Sequence, residues 1–270
     1  MRHVAPAREV FDRRVLASPP LSHWAGFAPL IEGEAWPEAT GLNALLPDDS
    51  DLRFVAQDKA LLDDGLHYEQ RIANGSIATR PANWHDLFNA FVWLRYPALK
   101  RALNARQVAE IARMGPRERS RPQCALTHFD EAGIIVTLPD TAMLAAWDRH
   151  DWHALFWTHR EAWLRGDARA EVFGHALLEH ALTPEKLLVG KALVVIGGAD
   201  AAATCAEAIA RGDVLNDPQE LRPLPVSGVP GWHADTADES FYTTAPCFQP
   251  VRAGRLYPAA LVASPDQASP

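Results

Sequence analysis

The residues best equipped for chemistry fall in three short segments. In the string Asn83-Trp84-His85-Asp86-Leu87-Phe88-Asn89-Ala90 an imidazole, a carboxylate and an amide interrupt an apolar run. At helical pitch His85, Asp86 and Asn89 share one sector, with His85 and Asn89 a turn apart. Trp84, Leu87, Phe88, Phe91 and Val92 form the broad apolar face, and Ala90 and Trp93 extend it to the far side, so the helix is expected to be buried. Polar groups in such a helix need partners. One reading makes them a cap and a structural hydrogen-bond network; the other makes them catalytic or metal-binding.

The second segment is Ala125-Leu126-Thr127-His128-Phe129-Asp130-Glu131-Ala132-Gly133. Read as a strand running into a turn, it places adjacent carboxylates at a hairpin tip. That is ordinary turn chemistry, or Asp130 presented to a metal or as a general base. His128 is expected to face away. The third is Phe173-Gly174-His175-Ala176-Leu177-Leu178-Glu179-His180. His175 and Glu179 are four apart on one helical face, a spacing that suits either a hydrogen-bonded pair or two ligands of one cation. Gly174 would let another backbone approach closely. Arg113, Arg117, Arg119 and Arg121 form the one dense basic run, a solvated loop or a clamp for a phosphate or carboxylate.

These residues need elements to hold them. Asn83 is a good N-cap, with Asp86 at N3 favoured by the helix dipole, for a helix over 83–95; a second follows Pro97 to about residue 114. Residues 53–56 read as a short strand. Residues 67–72 and 76–80 flank Asn74-Gly75 and read as a hairpin; residues 124–129 and 134–138 read as another. Asp140 and Asp151 look like caps of helices reaching about 147 and 165. Helices are expected over 173–181 and 199–211, and a buried strand or short helix over 187–196. Beyond Asp217 prolines punctuate a segment expected to wrap the body. The fold class is thus α+β: a mainly helical single domain over 1–263 with two β-hairpins or a small antiparallel sheet, an extended C-terminal wrap, and a flexible tail at 264–270.

Composition narrows the field. With 26 Lys and Arg against 34 Asp and Glu the 270-residue chain has a formal net charge of −8, which argues against general nucleic-acid or anionic-membrane binding. Three scattered cysteines, Cys124, Cys205 and Cys247, make neither a C-x-x-C zinc site nor a disulfide framework. The N-terminal residues lack the apolar stretch of a signal peptide, and the most apolar run, 187–196, is too short to cross a bilayer. The cytoplasm is the expected compartment. Patterns for phosphate-binding loops, nucleophile elbows, zincins and zinc deaminases are absent.

The three segments, together with Gly228-Val229-Pro230-Gly231-Trp232 and Phe241-Tyr242, carry a resemblance. The chain resembles, over roughly residues 11–257, the bacterial family catalogued as domain of unknown function 3025. The resemblance implies a bacterial intracellular protein and brings no activity, so every role below rests on residue chemistry. The leading expectation is a metal-dependent hydrolase of a phosphoester or other anionic small molecule. His85, Asp130, His175 and Glu179 would hold a divalent metal, with Asp86, Asn89, Asp130, Glu131 and Arg121 catalytic. The alternative is a non-enzymatic binding or scaffold protein whose buried polar residues are structural. A nuclease built on a hairpin and helix over 68–93 is disfavoured by the charge. Nothing in the sequence speaks to oligomeric state.

Overall fold

The computed structural model describes residues 4–115, 118–198 and 200–263. It is α+β and mainly helical, about 49% helix and 12% strand. Turns and the short helices α1 (Ala28–Glu32) and α2 (Ala39–Asn43) lead to strand β1 (Arg53–Ala56). Next come α3 (Lys59–Leu62), α4 (Tyr68–Ala73), β2 (Ser76–Thr79), α5 (Trp84–Arg95), α6 (Pro97–Met114) and α7 (Arg121–Ala132). The second half runs β3 (Gly133–Leu138), α8 (Thr141–Asp148), α9 (Arg160–Arg165), β4 (Arg169–Val172) and α10 (His175–Ala181). It finishes with β5 (Val189–Ile196), α11 (Ala201–Arg211), β6 (Arg222–Pro225), α12 (Phe241–Thr244) and β7 (Leu261–Val262).

The expected hairpins are not formed. Residues 67–72 enter α4, whose first turn is capped by the His67 ring accepting from the Glu69 amide. Asn74-Gly75 ends that helix, and Gly75 takes the left-handed φ of +92°. Strand β2 then pairs in parallel with β1, Arg53 opposite Ser76. Residues 124–129 are likewise helical. Ser120 and Gln123 form a reciprocal capping box that starts α7, and the fully buried Ala125, Leu126 and Phe129 lie at helical rather than alternating spacing. The sheet is therefore mixed, in the order β4-β3-β5-β6 with β7 on β5. Strand β3 pairs in parallel with β5 and antiparallel with β4. Every residue of β3 is buried, Thr137 included, as its mostly apolar run requires of a strand covered on both faces.

Other expectations shift at their edges. The helix foreseen from Asp151 breaks into a π-turn over His153–Thr158 followed by α9, and α10 starts at His175 rather than at 173. Residues 187–196 resolve to strand. The start foreseen for α11 at Ala199, and the tail at 264–270, lie outside the described residues.

The C-terminal wrap is pinned by the buried faces it crosses. Arg222 pairs with Asp148 at 2.6 Å and donates to the Pro258 carbonyl. The indoles of Trp147 and Trp152 donate to the Pro223 and Gln249 carbonyls. At the other end Arg8 is buried, donates to the carbonyls of Leu30, Gly33 and Ala35, and lies over the Trp36 and Trp84 rings. Both ends of the chain thus brace one continuous apolar core around α5 and the sheet.

Three helices, α5, α7 and α10, carry the chemical residues, and α10 packs on both of the others. The joint between α7 and α10 is glycine-dependent. A Cβ on Gly174 would lie 2.4 Å from the Gly133 backbone nitrogen and 2.5 Å from the Ala132 Cα. Backbone cannot give way as a side chain does, so Gly174→Ala is expected to cost about 3 kcal/mol or more in urea unfolding, at the upper end for overpacking. A cost under about 1 kcal/mol would show that this joint is slack.

Candidate metal centre

Helix α5 is buried nearly all round, as its pattern requires: Phe88, Phe91 and Val92 are fully enclosed. Asn83 caps it by accepting from the Asp86 amide. His85 projects from its first turn toward α10, where His175 projects from the first turn in return. Their Nε2 atoms stand 3.0 Å apart, with the rings edge to face. Glu131, in the last turn of α7, brings one carboxylate oxygen to 3.6 Å from His175 Nε2 and 3.8 Å from His85 Nε2. Bonds of about 2.0–2.1 Å to one tetrahedral cation would place such atoms ~3.3 Å apart. The three ligand atoms all lie within 4.8 Å of one another, and this is the one such group among the described residues.

Each histidine has a carboxylate at its other edge. His85 Nδ1 lies 3.2 Å from Glu179 Oε2, and His175 Nδ1 lies 3.9 Å from Asp130 Oδ2. A carboxylate behind Nδ1 favours the tautomer that keeps the proton there and leaves Nε2 as a lone pair for a cation. His175 Nδ1 is buried and has no hydrogen-bond partner, so its side of the arrangement is open by roughly an ångström. Burial drives the His175 pKa down to about 3, which keeps it neutral at ordinary pH. For His85 burial works against the charged form. The hydrogen bond that His85 donates to Glu179 and the charges of Glu131, Glu179 and Asp86 outweigh it, and the pKa ends above the ordinary histidine value.

A ring of further contacts fixes these groups. Burial alone would raise the Asp130 pKa, but Lys100, 2.6 Å away, together with the histidines holds it below the usual carboxylate value. Lys100 also donates to Asn89 Oδ1 at 2.9 Å, and Asn89 donates to the Tyr68 hydroxyl. Arg80 clamps Asp86 through its backbone amide and two guanidinium nitrogens, at 2.6–3.0 Å. Burial raises the Glu131 pKa. The whole faces a cavity of about 430 Å³.

The expected site residues are thus sorted by geometry. His85, His175 and Glu131 converge on one point. Asp130 and Glu179, read from the sequence as ligands, stand behind the imidazoles instead. Asp86 spends its carboxylate on Arg80, and Asn89 links Lys100 to Tyr68. Arg121 is committed to Asp217 at the surface and does not line the cavity. Arg113 pairs with Glu110, and Arg117 lies outside the described residues. His128 is exposed on the outer face of α7.

Sequence reasoning missed several cavity residues: Tyr68, Glu69, Arg80, Gln107 and Thr127. It also missed Lys100, which stands behind Asp130. One signal was there for Lys100, which falls among Leu99, Ala102 and Leu103 on the buried side of α6, where a lysine must find a carboxylate.

Among the described residues no helix is long and apolar enough to cross a membrane. No curated protein and no solved structure matches the chain. A family model does match, over residues 52–252, a span that holds all three helices of the centre. The chain belongs to that family, described as protein of unknown function (DUF3025).

Proposed function

We propose that this protein is a metal-dependent hydrolase in which His85, His175 and Glu131 hold one divalent cation, acting on a phosphoester or another anionic small molecule. The observation that carries the reading is the meeting of two imidazole Nε2 atoms 3.0 Å apart with a carboxylate oxygen beside both. A buried and a half-buried imidazole facing each other gain at most one shared proton, whereas a cation satisfies both lone pairs. The metal supplies a bound water of lowered pKa. Glu131 would help hold the cation with one carboxylate oxygen, and its other oxygen could accept a proton from water activated there. Asp130 and Asn89, tied to Lys100, hold the His175 side of the centre, and Arg80, anchored by Asp86, borders the cavity where negative charge would develop. The three cysteines are free thiols, consistent with a cytoplasmic protein.

The competing reading is a non-enzymatic protein with a structural polar network. It draws on Arg80–Asp86 and Lys100–Asp130, which satisfy each other without any ligand. A histidine pair with one carboxylate is also used by non-haem iron, so the metal must be identified and not assumed. The test is metal analysis of protein purified without a histidine tag, with hydrolysis of p-nitrophenyl phosphate followed before and after chelation. About one metal per chain and chelator-sensitive turnover are expected. No stoichiometric metal, even after incubation with zinc, manganese or ferrous ion, defeats the metal centre, and bound metal without turnover of any phosphoester or ester defeats the hydrolase.

A further inference from the structure

The cavity is long, and its two ends differ. Gln123, Thr127 and Glu131 follow one another at four-residue spacing along one face of α7. Glu131 belongs to the metal end. Gln123 and Thr127 line a narrower extension of the cavity, of about 50 Å³, together with His67, Glu69, Gln107, Arg119 and the exposed Glu118. Arg119 lines the main cavity as well.

Arg119 differs from the other cations of the site. Arg80 is spent on Asp86 and Lys100 on Asp130. Arg119 is exposed and enters no hydrogen bond or ion pair with the described residues. It precedes the capping residue Ser120, so its position is set by the start of α7 while its guanidinium remains available to the cavity. Its charge reaches inward, lowering the pKa of His67, on which burial acts first, and opposing the rise that burial imposes on Glu69. Glu69 is the carboxylate on the buried part of that wall. It accepts from Asn104, and burial favours its neutral form, which reduces its repulsion of an anion.

Between the two ends the wall consists of groups with bonding capacity to spare. Gln107 donates to the Thr127 hydroxyl at 3.1 Å, leaving the threonine proton to give. The Tyr68 hydroxyl accepts from Asn89 and gives its own proton to none of the described residues.

We propose that the substrate is elongated and carries a second anionic group, held by Arg119 just before the start of α7, at the opposite end of that helix from Glu131 and the centre it forms with His85 and His175, with a hydroxyl-bearing middle against Thr127, Gln107 and Tyr68. The scissile end rests on the hydrolytic reading above; the distal anion does not. An anion seated on Arg119 is too far from the histidines to be the group cleaved, so the arginine contributes to substrate capture and leaves the chemical step to the metal end.

The test uses zinc-loaded full-length protein and two probes, fructose 1,6-bisphosphate and fructose 6-phosphate, titrated calorimetrically into wild type and Arg119→Met. The bisphosphate is expected to bind at least about tenfold more tightly, as one charge-assisted contact allows. Arg119→Met should erase that advantage while leaving monophosphate affinity within about twofold and metal content unchanged. Equal affinities in wild type, failure of both probes to bind, or an advantage that survives in Arg119→Met overturns the proposal. The two readings fail separately. Arg119-dependent binding with no phosphoester cleaved removes the hydrolase and keeps the distal anion site, whereas hydrolysis of p-nitrophenyl phosphate with no bisphosphate advantage does the reverse.

Discussion

Replacing His175 with alanine is expected to weaken divalent-metal binding by more than about 100-fold, while Glu179→Gln weakens it by about 10- to 100-fold. The difference follows from where the two side chains stand. His175 presents Nε2 3.0 Å from His85 Nε2 and offers a bond directly. Glu179 stands at the far nitrogen of His85, 3.2 Å away, and acts by fixing the proton there. The chain should stay folded in both variants. Loss of the buried ring leaves a void costing about 1–2 kcal/mol, partly offset because the unsatisfied Nδ1 goes with it.

Acid should weaken the binding in wild type. His85 has a raised pKa in the metal-free protein and must lose a proton to bind, so affinity rises as pH climbs through and above the ordinary histidine range, then levels off. His175, held near 3, adds nothing to that slope. Calorimetric or competition titrations with zinc at several pH values read both effects. Equal affinity in wild type and His175→Ala would remove His175 from the centre and the centre with it.

How much of this was legible depends on which forces are local. Helix α5 was readable to the residue because its cap, its dipole partner and its apolar face all lie within 83–95. His85 and His175 were singled out by polar interruptions in apolar helices, a signal that survives without a structure. Their closeness was not legible, since it depends on how α5 and α10 pack, a contact between segments some ninety residues apart. Asp130 and Glu131 were picked on a mistaken geometry. A short apolar run looked like a strand, although Ser120 and Gln123 already spelled a capping box immediately upstream. The helix then turns Glu131 toward the histidines and Asp130 toward Lys100, a division of labour that no hairpin tip would have produced. Within the arginine run nothing local distinguishes Arg119 from Arg121. Only the position of Asp217, far along the chain, takes Arg121 away from the cavity.

Lys100→Met is expected to be the most damaging change to stability, at about 3–5 kcal/mol, because it strands a buried carboxylate. Lys100 has 5% of its side chain exposed and Asp130 24%, so the pair is little screened by solvent. The lysine also serves Asn89 and lies 5.2 Å from the centre of the Trp93 ring, so its loss opens the network toward Tyr68 as well. Methionine keeps most of the volume and removes only the charge, which isolates the electrostatic part of the cost. If the charge is what matters, Lys100→Met with Asp130→Asn should recover most of the loss, since two neutral groups need less from each other than one ion needs from a counter-ion.

The pH dependence gives an independent check. In wild type the Asp130 pKa is lowered, so the carboxylate contributes stability above its unfolded value near 4 and loses it as pH falls through the folded pKa. In Lys100→Met only the histidines still oppose burial, the Asp130 pKa is expected to rise above the unfolded value, and the folded state gains protons on acidification. The deficit relative to wild type should therefore be largest near pH 8 and shrink toward pH 5, as read by urea unfolding at both. A deficit below about 1 kcal/mol that ignores pH would mean that Asp130 finds its compensation elsewhere, and that Lys100 is not what keeps a charged carboxylate behind His175.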